Sequence, residues 1–313
     1  MRLLLVGNYG VGNLGDEALK EYFLTRFPEI DWIVVSANPR TGEVARLPMG
    51  IRSFFWLRWM ATLRAYREAD GVVFGGGSLF TDIESPRACT LWFLHALPAW
   101  LLQKPIFLAF QGIGPFRTKR GEWCAQFVAR RASFVSVRDP ASYDRVSRWG
   151  LSTKIVQTFD PVLWLVQNKN HEYRSKNILI LIPRKNSGES FLKKAHELAN
   201  PKKWEGIRIL SLEPDDPREL AFVGHLAEEF SAKIIPMHTL QTLCDEVGEA
   251  RMVLSERYHG ALAALVLEKP LEIVSQGEGD KLNSLQSFDL QKAEQDLAMG
   301  EQELRNVLNT KTR

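Results

Sequence analysis

Short runs of Val, Ile, Leu and Phe recur along the chain with helix-length stretches between them: "RLLLVGN", "DWIVVSA", "ADGVVFGG", "KPIFLAFQGIG", "SFVSVRD" and "TKIVQTFD". Their apolarity is continuous rather than alternating. That is the mark of strands buried on both faces, as in parallel sheets covered by helices. After the polar, aperiodic "WLVQNKNHEYRSKN" (164–177) the pattern restarts with "NILILIPR", "IRILSLEP", "AKIIPMH", "RMVLSE" and "PLEIVSQ". The expectation is an α/β protein of two doubly wound, Rossmann-like domains. The first spans 1–165, a linker 166–177, the second 178–285, and a helical tail without assigned chemistry 286–313. Two such domains on one linker would face a cleft with the carboxyl ends of both sheets, where ligands usually bind.

A chain of 313 residues suits two cores. Its net charge of +3 does not suggest nucleic-acid binding but permits anionic small ligands. The three cysteines, Cys89, Cys124 and Cys244, lie far apart with no CxxC or Cys/His cluster, so neither disulfides nor a metal site is expected. The first apolar run is too short for a signal peptide, and no run of about 18 apolar residues follows. A cytoplasmic, non-spanning protein is the expectation.

"NYGVGNLGDEALK" (8–20) contains a literal GxGxxG, which raises a nicotinamide or flavin site. Three features oppose it. Asn8 and Tyr9 intervene after the strand, Asp16 and Glu17 put negative charge where a pyrophosphate needs positive potential, and "DWIVVSANPR" offers Ser36, Ala37 and Asn38 at the strand's end in place of the acid expected for a ribose. The glycines can make a turn with Asp16 as helix cap, or Asn8, Asn13 and Gly15 can form a substrate loop; the second reading accounts for more of the loop. The triple glycine of "VVFGGGSLFTD", with Gly76, Gly77 and Ser78, admits the same two readings: a tight turn, or bare amides facing a polar ligand. "GIGP" (112–115) is a further turn.

In "FVSVRDPASYDR" a charged pair ends a buried strand. Asp139 is read as the cap of the helix after it, and Arg138 either as a salt-bridge partner or as a ligand anchor. The most informative stretch is "RMVLSERYHGALAALVLEKP". Its strand ends at Leu254, Ser255 is read as helix cap, and Arg257, His259 and Gly260 open the helix. A guanidinium, an imidazole and free amides thus meet at one helix start, an anion-binding arrangement. Of the other histidines only His95 invites a role, facing a ligand or packed in the core. The aromatic and basic segment 51–67 is either a membrane-surface helix or a partly exposed helix covered by arginine stems.

With "GNYGVGNLGDEA", "GGGSLFTD", "GIGP", "SVRD", "SERYHGALAAL" and the late "GDK" (279–281) in this order, the chain resembles the polysaccharide pyruvyl transferase family over nearly its whole length. The likeness is to the type that builds a pyruvate ketal on a cell-wall polymer precursor. Tyr258 stands where that family often has an aliphatic residue. The resemblance implies a fold like the glycosyltransferase-B enzymes, phosphoenolpyruvate as co-substrate, no metal or resident cofactor, and a polysaccharide or lipid-linked saccharide acceptor containing N-acetylmannosamine. It implies donor binding by Arg138, Arg257, His259, Ser255 and Gly260. Acceptor binding would fall to Asn8, Asn13, Gly15, Gly76, Gly77, Ser78 and His95. The catalytic groups would be Arg257, His259 or a polarised water as acid, and Asp16 as base, with peripheral contact at the inner membrane face. Two competing readings are a nucleotide-sugar glycosyltransferase of the same architecture and a non-catalytic carbohydrate-binding regulator.

Overall fold

A computed structural model describes residues 1–311 apart from 51, 52, 54, 56, 84, 170–172, 201 and 278–280. The chain divides into two compact units. The first comprises Met1–Val11, Leu19–Pro161 and Gln291–Arg313; the second comprises Gly12–Ala18 and Val162–Leu290.

Among the described residues, the first unit holds a seven-stranded sheet ordered β3-β2-β1-β4-β5-β6-β7. Its strands are β1 (Arg2–Val6), β2 (Asp31–Ser36), β3 (Glu43–Ala45), β4 (Gly71–Phe80), β5 (Ile106–Ile113), β6 (Phe134–Val137) and β7 (Ile155–Gln157). Every pairing is parallel, with Leu5 opposite both Val34 and Val73. Val72, Val73 and Phe74 have no exposed surface, so successive side chains are buried on opposite faces of the sheet. This is why the run shows no alternation. The flanking helices are α1 (Leu14–Arg26), whose first residues belong to the second unit, α2 (Trp59–Glu68), α3 (Ala88–Leu101), α4 (Lys119–Ala129) and α5 (Pro140–Ser147). As the sequence suggests, Asp139 caps α5: its carboxylate accepts from Ser142 N at 2.8 Å, with Pro140 in the first turn.

In the second unit, β8 (Ile178–Ile182), β9 (Gly206–Ser211), β10 (Lys233–Pro236), β11 (Met252–Ser255) and β12 (Leu271–Ile273) form a parallel sheet ordered β10-β9-β8-β11-β12. Around it lie α6 (Val162–Gln167), α7 (Glu189–Leu198), α8 (Pro217–Phe230), α9 (Leu240–Glu249) and α10 (Tyr258–Val266). Leu179, Leu181, Ile207, Ile209, Phe191, Val223 and Leu254 make a core of its own. The loop 12–18 joins this unit through Leu14 N, which donates to Leu212 O at 3.2 Å.

Among the described residues, the segment expected as a helical tail holds one long helix, α11 (Leu290–Lys311), which is part of the first unit from Gln291 onward. Ala293, Leu297, Leu304 and Leu308 are buried, so this segment contributes to a core rather than trailing from one. Glu301 anchors it, accepting from Tyr22 Oη at 2.5 Å and from Arg26 Nε at 2.9 Å. Burial and the Glu301 charge push the Tyr22 phenol well above its ordinary range. The change of units falls at 161/162, before α6, which lies within the second unit although its residues straddle the 165/166 boundary expected from composition. Residues 170–172 of the expected linker lie outside the described residues.

Candidate active site

The second unit assembles a charged cluster around Arg257. β11 ends at Ser255 and α10 begins at Tyr258, so Arg257 occupies the cap position with extended backbone (φ −105°, ψ 129°). This corrects the reading of Ser255 as the cap. Ser255 is the last strand residue, and its hydroxyl accepts from Arg257 N at 3.1 Å and donates to Arg257 O at 2.9 Å. The hydroxyl therefore shapes the turn that presents the arginine. Gly260 is closely packed: a Cβ there would come within 2.7 Å of Ile182 Cδ1 and 3.0 Å of Ser255 Oγ.

The Arg257 guanidinium is held at three points. Nε donates to Pro183 O at 3.2 Å, Nη1 to Glu213 Oε1 at 2.9 Å, and Nη2 to Glu219 Oε2. Glu219 is wholly buried, and its other oxygen accepts from Ser211 Oγ at 2.9 Å and Glu213 N at 2.8 Å. Glu213 accepts further from Asn13 Nδ2 and Lys185 Nζ, each at 3.0 Å. Burial works to raise the Glu213 carboxyl, but the charges of Arg257 and Lys185 outweigh it and hold it down to about 2. Lys185 also reaches Asp216 at 2.8 Å. A planar fork clamped by two carboxylates has little orientational freedom to lose on binding a ligand.

Beside this cluster the loop 12–18 lies against His259. Asn13, expected to bind acceptor, caps α1 instead: its Oδ1 accepts from Gly15 N at 3.0 Å and Asp16 N at 3.3 Å. The cap is therefore Asn13 and not Asp16, which sits half-buried in the first turn. Gly15 packs so closely that a Cβ would overlap Nδ1 and Cε1 of the His259 ring. Lys281 stands with its ammonium 5.7 Å from the Tyr258 ring centre. Gly279 and Asp280 of the same motif lie outside the described residues.

The remaining expected residues belong to the first unit. Asn8 Oδ1 accepts from Arg46 Nη2 at 3.1 Å, and that guanidinium also bonds Gly7 O and Tyr9 O. Gly76 and Gly77 have positive φ (74° and 80°), and a Cβ on Gly76 would meet Leu19 at 2.9 Å. Gln111 Nε2 holds the turn by donating to Phe74 O at 2.8 Å and Gly76 O at 3.3 Å. The glycine run is thus required by backbone conformation and packing. Arg138 Nη2 donates to Ser78 Oγ at 3.0 Å, and Nη1 pairs with Asp160.

The Arg138–Asp160 pair is almost completely shielded from water, with side-chain exposures of 1% and 0%. Breaking one member leaves a buried charge, so Arg138→Ala is expected to cost about 3–5 kcal/mol in urea unfolding. The paired Arg138→Met, Asp160→Leu exchange is expected to recover most of that loss. Equal stability of Arg138→Ala and the parent chain would remove the pair's structural role.

His95 has no exposed surface, which corrects its assignment to the acceptor. Nε2 accepts from Leu47 N at 3.2 Å; Tyr66 Oη donates to His95 O at 2.6 Å, so Nδ1–H donates to Tyr66 Oη at 3.0 Å. Burial, helped by the Arg46 charge, pushes its pKa down to about 3. It is a neutral packing histidine.

Lys185, Glu213, Glu219 and Asp160 are not singled out by the sequence. Asp160 and Arg138 both follow buried strands, which is the one signal that could have matched them. Among the described residues, no group of three or more His, Cys, Asp or Glu is placed to hold a metal ion. None of the described helices is long and apolar enough to cross a membrane.

Two parallel-sheet, Rossmann-like units define an α/β protein with a fold of the glycosyltransferase-B type, and its second unit places an arginine and a histidine at one helix start. HepE of Anabaena, solved with UDP-glucose, superposes over 99% of this chain and 100% of its own at a TM-score of 0.63 and 13% identity. UDP-N-acetylglucosamine 2-epimerase from Rickettsia bellii gives 0.63 and 13% over 99% and 97%. The chain belongs to the polysaccharide pyruvyl transferase family, whose model matches residues 13–271. The amylovoran biosynthesis protein AmsJ of Erwinia amylovora is 25% identical over 221 residues, 57% of this chain and 52% of AmsJ. The chain thus spans about half the length of that curated relative.

Proposed function

We propose that the protein transfers the pyruvyl group of phosphoenolpyruvate to two hydroxyls of a cell-wall polysaccharide sugar. The acceptor in this reading is a lipid-linked, N-acetylmannosamine-containing precursor at the cytoplasmic face of the membrane, and no resident cofactor or metal takes part. The observation that carries the reading is the clamped Arg257 at the start of α10, two residues before His259. A small donor with a carboxylate and a phosphate needs fixed cationic anchors rather than a nucleotide pocket.

In this reaction the donor's methylene carbon takes up one proton, which leaves a cationic centre at the carbon bearing the phosphate. One sugar hydroxyl attacks that carbon, phosphate departs, and the second hydroxyl closes the ketal. Two hydroxyl protons are released: one balances the methyl group formed and the other leaves with phosphate. Arg257 and His259 bind the donor anion, and the guanidinium offsets negative charge on the departing phosphate. His259, or a water polarised by Arg257, delivers the proton to carbon. Asp16, in the first turn of α1, accepts a hydroxyl proton.

The nucleotide-sugar alternative would use Glu256 as a ribose-binding acid. Glu256 is 2% exposed, and its carboxylate accepts from Ser187 Oγ. A carboxylate with so little exposed surface is poorly placed to take a ribose, and that favours the pyruvyl reading. Calorimetry with phosphoenolpyruvate, UDP-N-acetylglucosamine and NAD tests it; binding of the nucleotide sugar and not of phosphoenolpyruvate would overturn it. Asp16→Asn is expected to lower phosphate release by about 10²–10⁴-fold with phosphoenolpyruvate affinity retained. Unchanged turnover in that variant would remove Asp16 as base.

A further inference from the structure

The first unit carries a surface that the chemistry above does not use. Helices α3 and α4 pack side by side through an aromatic strip. Phe93 lies 5.3 Å from Trp123 and 5.0 Å from Phe127, and Trp100 lies 5.7 Å from Phe127, by ring centres. The strip is open to solvent: Trp100 is 44% exposed, Leu101 70%, Leu102 40% and Trp123 55%. Four large apolar side chains left uncovered on two adjacent elements are unusual for a surface that only meets water.

The segments that carry the strip are rich in cations. Between residues 86 and 133 the chain carries Arg87, Lys104, Arg117, Lys119, Arg120, Arg130 and Arg131 against a single acid, Glu122. On α4 the order Arg120, Trp123, Phe127 advances by three and four residues, so these side chains share one face, and Arg131 follows one turn further on. Arg131 folds back over the strip, its guanidinium carbon 3.5 Å from the Phe127 ring centre and 5.0 Å from that of Trp100. Arg117, Lys119, Arg120, Arg130 and Arg131 are exposed.

We propose that the α3–α4 face docks on an anionic lipid surface, with Trp100, Leu101, Leu102 and Trp123 entering the interfacial zone and the flanking lysines and arginines meeting the headgroups. Tryptophan and leucine on a shallow apolar strip, bordered by long cationic side chains whose stems can lie along it, match the chemistry of a membrane interface. The charge decides between occupants. A two-fold contact with a second copy would set these cations against one another, whereas an anionic leaflet attracts each of them. The surface differs from the 51–67 segment considered from the sequence. There Phe55, Leu57 and Met60 are exposed, but Thr62, Ala65 and Tyr66 pack inward, and residues 51, 52, 54 and 56, including Arg52 and Trp56, lie outside the described residues. The proposal stands independently of the pyruvyl-transfer reading.

The test is sedimentation of the full chain with phosphatidylcholine vesicles, with and without phosphatidylglycerol. Binding is expected only with the anionic lipid and should weaken as salt rises. Leu101→Gln/Trp123→Gln should weaken it by about tenfold or more with the unfolding midpoint retained, since both side chains are exposed. Lys119→Glu/Arg120→Glu, which leaves the apolar strip intact, should weaken it comparably. Absence of binding by the parent chain overturns the proposal, as does undiminished binding by both variants. Loss in Phe55→Gln/Met60→Gln alone would move the contact to 51–67. A concentration-dependent dimer that the Leu101/Trp123 exchange dissolves would make this face a self-interface instead.

Discussion

Arg257→Met is expected to lower phosphoenolpyruvate-dependent phosphate release at least about a hundredfold and, at the same time, to destabilise the protein by about 3–5 kcal/mol. Both effects arise from one geometry. The guanidinium that would hold the donor is also the counter-charge of Glu219, which has no exposed surface and whose second oxygen is committed to Ser211 Oγ and Glu213 N. Removing the cation strands a buried carboxylate. A loss of activity in the single variant is therefore ambiguous, and a double variant separates the causes. Arg257→Met/Glu219→Gln removes the buried pair as a unit, keeps an acceptor for Ser211, and is expected to recover most of the stability while turnover and phosphoenolpyruvate binding remain absent. Urea unfolding and calorimetry on the two variants suffice. Recovery of both stability and donor binding in the double variant would make Arg257 a structural residue and remove it as the donor anchor.

How much of this was legible in the sequence follows from which contacts are local. Runs such as "GVVF" and "ILILI" announce strands buried on both faces because neither side of a covered parallel sheet meets water, and the structure places strands there. The α5 cap was readable because Asp139, Pro140 and Ser142 are neighbours in sequence. The partners of Arg257 were not. Glu213 and Glu219 follow β9, which lies beside β8, and β8 in turn lies beside β11, so their approach depends on strand order rather than spacing. The same holds for Ser255, where residue type suggests a cap but the strand continues through it. His95 shows the limit from the other side: an apolar helix is compatible with either a ligand-facing or a core imidazole. Only its bonds to Leu47 N and Tyr66 decide. The C-terminal segment reads as a tail because one stripe of Ala293, Leu297, Leu304 and Leu308 suffices to bury a helix whose other faces remain wet.

The contact between Gly15 and His259 makes the second sharp prediction. Gly15 lies in the first turn of α1 without a positive φ, so by helix propensity alone Gly15→Ala would stabilise the helix by up to about 1 kcal/mol. The added Cβ, however, would occupy the space of His259 Nδ1 and Cε1. Either the imidazole turns aside or α1 withdraws. A displacement of about 1 Å at a group that binds the donor or delivers a proton can cost about a hundredfold in rate. Gly15→Ala is accordingly expected to lower kcat by about that factor, with an unfolding free energy within about 1–3 kcal/mol of the parent, the range for overpacking. The control is the same change on a His259→Ala background, where the obstructing ring is gone. If Gly15 acts through His259, the second substitution adds no further loss of turnover there, and the two effects are non-additive. Full additivity would mean that the glycine serves α1 alone and that the close approach of loop 12–18 to the imidazole has no part in the chemistry.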